Sequence, residues 1–154
     1  MADLNDTIAA TRETIRGYLA VIDPDFQEYD SGMFTIEEGS AVIGITIRPW
    51  MEDDVVIEFS SQLCSSGELS AETMKWLLEA NADIHFGGFG MVFDGTIIYN
   101  YAIPGSNLDP TLFAAVTQTV AAIADHYDDI IRQKTGVEAK IPVDDDRDSV
   151  PVGS

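Results

Sequence analysis

The residues that could do chemistry are few, and their spacing does not assemble a site. His85 has no second histidine or cysteine near it, and His126 has only Asp125 and Asp129 as neighbours on a helical turn. A histidine with an aspartate three residues on supplies two metal ligands, where a zinc site needs three or four. Cys64, the only cysteine, has no histidine placed to activate it and can form no disulfide within the chain. The run Asp144-Asp145-Asp146 offers carboxylates but lacks the glycine and closing glutamate of a calcium loop. The pairs Glu37-Glu38 and Asp53-Asp54 are expected to be turn residues, solvated by water. Neither G-x-S-x-G nor H-E-x-x-H occurs. The expectation is a protein with no catalytic residue, no metal and no cofactor.

One stretch still asks for an explanation. IHFGGFGMVFDGTIIYNYAI, residues 84–103, holds four of the chain's twelve glycines. A dinucleotide loop needs G-x-G-x-x-G between a strand and a helix. Gly88 and Gly90 fit its start, but Phe93 stands where the third glycine belongs and a strand-like run follows. Asp94-Gly95 between apolar runs instead predicts a hairpin with a two-residue turn. That turn pairs Gly90 with Tyr99 and Gly88 with Tyr101, each ring over a bare backbone. It also predicts two apolar faces, one with Phe89, Met91, Phe93 and Ile98, the other with Val92, Ile97, Tyr99 and Tyr101. Helices on one side of a sheet cover one face only, so the second face calls for another protein surface.

The elements around the hairpin follow from periodicity. Leu4, Ile8, Ile15, Leu19 and Ile22 make one helical face over residues 4–22, with Asp3 or Asn5 as cap and Pro24 as stop. Residues 33–38, 41–48 and 55–63 alternate as three strands, with RPWMEDD a polar turn opened by Pro49. Ser70 caps a second helix carrying Met74, Trp76, Leu77 and Leu78. Asp109 and Pro110 start a third, long helix striped by Leu112, Phe113, Val116, Val120, Ile123, Tyr127, Ile130 and Ile131, which Gly136 stops. The order α-β-β-β-α-β-β-α predicts an α+β domain over residues 1–136, an antiparallel sheet with helices packed on one side. Residues 137–154 read as a flexible acidic tail.

Composition narrows the function further. Twenty-seven acids against eight bases give a net charge of −19. The bases are scattered singly, so a direct nucleic-acid ligand is excluded and an anionic membrane surface disfavoured. The N-terminus lacks a basic and an apolar region, and the longest uncharged helical run, 110–124, is too short to span a bilayer. A cytoplasmic location is expected.

The segment MKWLLEANADIHFGGFGMVFDGTIIYNYAI, followed by LDPTLFAAVTQTVAAIADHYDDII, resembles the YbjN-like family, which shares its fold with class I type III secretion chaperones. A Trp-Leu-Leu-x-x-Asn helix end, a glycine-turn hairpin and a Leu-Asp-started long helix carry the likeness. Element order, size and acidity extend it over roughly residues 4–135. The resemblance implies a homodimer that binds extended segments of client proteins. By matching elements it implies client contacts at Ile8, Ile15, Leu19, Phe34, Val42 and Val56, and dimer contacts at Met74, Trp76, Leu78 and Tyr99. A regulatory protein that binds a folded signalling partner is the alternative it leaves open.

Overall fold

The computed structural model describes residues 3–65 and 69–135. Gly136, the expected tail 137–154 and the aspartate run within it lie outside those residues. The elements are α1 (Leu4–Ile22), β1 (Gln27–Glu28), β2 (Phe34–Glu38), β3 (Ala41–Trp50), β4 (Asp54–Ser65), α2 (Ala71–Asp83), β5 (Gly88–Met91), β6 (Thr96–Pro104) and α3 (Pro110–Thr135). The expected order holds, with the two-residue β1 added ahead of the first long strand.

Local chemistry starts each helix. The Asp3 carboxylate accepts from the Asp6 N–H at 2.8 Å, Ser70 Oγ from the Thr73 N–H at 3.1 Å, and Asp109 Oδ1 from the Leu112 N–H at 2.8 Å. Each bond satisfies an amide that the first helical turn leaves unpaired. At the other end of α1 the Asp23 N–H closes on the Leu19 carbonyl before Pro24.

The strands form one antiparallel sheet in the order β1-β2-β3-β4-β6-β5. Burial alternates along it. Phe34, Ile36, Ala41, Ile43, Ile45, Ile57, Phe59, Tyr99 and Ile103 are buried on the helix side, while Val42, Thr46, Val56, Glu58, Ile98 and Asn100 face the other way. Phe113 of α3 is the hub of the helix side, its ring 5.4 Å from Tyr18 of α1 and 5.3 Å from Phe59 of β4. The open face mixes apolar with polar residues, and Arg48 bonds Glu58 across two strands at 2.7 Å.

Three expectations are corrected. Pro49 does not open a turn: β3 runs on to Trp50, and the turn is Met51–Asp53. A proline fits there because β2 accompanies β3 only from Ala41 to Ile45, so among the described residues no strand lies beside the later ones on that side. The β5–β6 hairpin has a three-residue loop, not two. The Val92 N–H donates to the Thr96 carbonyl, Gly95 takes a left-handed φ of 88°, and the pairs are Gly88 with Asn100, Phe89 with Tyr99, Gly90 with Ile98 and Met91 with Ile97. A one-residue slip turns every side chain over. The hairpin is therefore not apolar on both faces. Phe89 and Met91 join Ile97 and Tyr99 on the helix side, and the open side carries Gly88, Gly90, Ile98 and Asn100.

Candidate functional site

The glycines act where α2 gives way to β5. Gly87 has a φ of 68°, and a Cβ there would run into the Asn100 carbonyl and stand 2.6 Å from the Tyr99 hydroxyl. Only glycine takes that conformation at no cost in that space. The turn it makes lays β5 along the flank of α2. Phe89 then packs edge-on to Tyr127 of α3 with ring centroids 4.7 Å apart, and to Tyr99 at 5.7 Å. The Tyr99 hydroxyl donates to the Phe86 carbonyl, and burial pushes its pKa up to about 12.

Between α2 and β5 lies an open groove of about 170 Å³. Met74, Leu77 and Leu78 form one wall, Phe89 and Met91 the other, and Ile97 is the floor. Every lining residue is uncharged. Leu78 is 70% exposed and Met91 53%, and at the hairpin tip Phe93 is wholly exposed. Large apolar side chains left together in water mark an association surface. The charged side chains of α2, such as the Lys75–Glu79 ion pair, lie outside the groove.

A second feature holds the far edge of the sheet. Arg16 grips Glu28 of β1 with Nε and Nη2 at 2.9 and 2.8 Å, and Arg12 lies 3.9 Å away. The hydrogen bond from Arg16 holds the Glu28 carboxyl below its ordinary range, with burial opposing. Gly32, at a φ of 93°, leaves room for the Arg12 guanidinium.

The residues singled out in the sequence do not gather in one place. Of the expected client contacts, Ile15, Leu19 and Phe34 are fully buried beneath the surface. Ile8 is half-buried on α1, and Val42 and Val56 are half-buried on the open face of the sheet, opposite the helices. Of the expected dimer contacts, Met74 and Leu78 line the groove. Trp76 turns to α3, its ring 5.7 Å from Tyr127 and 4.7 Å below the Lys134 ammonium. Tyr99 is fully buried under Phe89. Phe89, Met91 and Asn81 also belong to the groove, though none is among the expected client or dimer contacts. The even spacing of apolar residues along α2 locates its wall, but the opposite wall depends on the hairpin register. His85 and His126 are exposed beside Phe86 and Tyr127, and Cys64 is buried. Among the described residues no three histidines, cysteines or acids come together as metal ligands, and no helix is long and apolar enough to cross a membrane.

Comparison with known proteins fits this geometry. The model of a family described as "T3SS (YopN, CesT) and YbjN peptide-binding chaperone 1" matches residues 5–140. The fold superposes on a chain of the ExsC–ExsE complex with a TM-score of 0.64 at 14% identity, over 84% of this chain and 97% of that one. It superposes on a chain from the Yersinia pestis type III secretion chaperone SycH in complex with a stable fragment of YscM2, with a TM-score of 0.54 at 8% identity, over 75% of this chain and 98% of that one. No curated protein matches by sequence.

Proposed function

This chain belongs to the TY-Chap1 family of type III secretion and YbjN peptide-binding chaperones, and from that premise we propose a non-enzymatic, cytoplasmic protein that binds extended segments of client proteins as a homodimer. The observation that carries the proposal is the uncharged apolar groove on a chain of net charge −19. Two such chains repel wherever acid meets acid. The α2–β5 groove is a place where a second copy can approach closely without that cost, and covering Leu78 and Met91 is worth about 1.5–3 kcal/mol per fully buried side chain.

Client binding draws support from a different surface. Among the described residues no helix lies over the open face of the sheet, and that face offers Val42 and Val56 between hydrogen-bonding residues. Ile8 lies on α1, on the helix side of the sheet, and Ile15, Leu19 and Phe34 are buried in the core. The two structural neighbours were each solved with a second polypeptide bound. An extended segment matches such a flat, mixed face better than a small ligand, which needs concavity.

A panel of unstructured 15-residue peptides with apolar residues at alternate positions, read by fluorescence anisotropy, tests the client reading. Saturable binding that Val56→Asp weakens by about tenfold in a folded variant is the expected result. Binding that only folded proteins show would overturn it in favour of the regulatory reading.

A further inference from the structure

Among the described residues β5 is the last strand of the sheet, and one of its sides has no strand beside it. The Val92 N–H to Thr96 carbonyl bond sets which backbone groups face that side. In an antiparallel ladder inward and outward residues alternate. Gly88 and Gly90 therefore bond to β6, and the backbone groups of Phe89 and Met91 point outward. An outward row of N–H and C=O groups next to exposed apolar side chains is a template for another strand.

At Phe89 that template is already filled. Its N–H donates to Asn81 Oδ1 at 2.7 Å, and its carbonyl accepts from Asn81 Nδ2 at 3.2 Å. A primary amide carries one donor edge and one acceptor edge, the pair that a neighbouring strand would offer. The glycines make the approach possible. A Cβ on Gly88 would stand 3.2 Å from Asn81 Oδ1, and Gly87 turns the chain so that Phe89 meets the helix. Asn81 lies in the last turn of α2, two residues before its end at Asp83, where its side chain can reach the backbone of β5.

We propose that Asn81 stands in for a seventh strand. It closes the outer edge of β5, so that a second copy covers the groove by side-chain packing of α2 and the hairpin, and the two sheets do not join into one. Among the described residues of β5 that leaves Met91 with outward backbone groups, too short a run to hold a strand. The inference rests on the self-association proposed above for its second half, while the closed edge stands on the hydrogen bonds alone.

Amide exchange by NMR separates the two. In the wild-type chain the Phe89 amide is expected to be protected, equally so across a tenfold dilution, because its partner is intramolecular. Asn81→Ala is expected to speed Phe89 exchange roughly two- to tenfold, the loss of one hydrogen bond, and to shift sedimentation velocity toward species larger than the wild type forms. A Phe89 amide unprotected in the wild type overturns the proposal, and this measurement decides the matter without any variant. A folded Asn81→Ala protein with unchanged exchange and unchanged size overturns it too. A wild-type chain that is monomeric throughout, yet protected at Phe89 and enlarged by Asn81→Ala, sinks the homodimer and leaves the closed edge standing.

Discussion

Tyr99 shows how much one side chain can tie together. It is wholly buried, it supports Phe89 from below, and its hydroxyl bonds the carbonyl that precedes Gly87. Its pKa in the fold is about 12, against roughly 10 for a free phenol. Because the folded value is the higher one, the fold holds the proton more tightly, and that part of its stability is present below about pH 10 and is lost as pH rises toward 12. Tyr99→Phe is expected to cost about 0.5–1.5 kcal/mol in urea unfolding and to remove the latest-ionising phenol from a titration followed at 295 nm. Phe113 makes a larger demand. It joins α1, the sheet and α3 with nothing exposed. Phe113→Ala is expected to destabilise by about 3–5 kcal/mol in the same measurement, and a loss below 1 kcal/mol would contradict its place as hub.

Among the elements, β1 depends most on a tertiary clip. Two residues make no stable strand by themselves, and the bonds from Arg16 and Arg12 to Glu28 anchor this one to α1. The Glu28 carboxyl titrates below its ordinary value in the fold, so its contribution is present above the unfolded pKa and is lost as pH falls through the lowered one. Acidification, or Glu28→Gln at neutral pH, is expected to speed amide exchange over residues 27–35 while α3 keeps its protection. The same dependence explains why β1 cannot be found in the sequence: its reason lies twelve residues upstream. Helices were legible because their signals are local; Asp3, Ser70 and Asp109 are caps that act within one turn. The long strands were legible in their alternation. Their ends were not, since Pro49 punctuates a sequence equally well inside a strand that has lost its neighbour. The hairpin register failed for a related reason. Asp94-Gly95 suits both a two-residue turn and a three-residue loop with a left-handed glycine, and only packing chooses between them. Phe89 is drawn to Tyr127 and its backbone to Asn81, contacts with α3 and α2 that no local pattern announces. Half of the groove, Met74 and Leu78, could thus be read from the stripe on α2; Phe89 and Met91 could be read as an apolar face of the hairpin, but not as the wall opposite α2.

At the scale of the whole molecule, charge governs how copies meet. A chain of net −19 is kept apart from its copies by a field that salt screens, with a Debye length of about 8 Å at physiological ionic strength and about 3 Å at 1 M. The uncharged groove is the exception, so self-association there is expected to tighten as salt is raised, opposite to an interface built on ion pairs. Sedimentation equilibrium across 0.05–1 M salt, concentrations chosen for order of magnitude, would show it as a falling dissociation constant, and a rising one would point to a charged interface instead. The mass in solution tests the central claim most directly. Light scattering at micromolar concentration should return twice the 16.8 kDa of one chain, and Leu78→Asp, which sets a carboxylate in the middle of the groove, should return one chain that is still folded. A wild-type protein with the mass of a single chain at every concentration, or a dimer that Leu78→Asp leaves intact, would contradict it.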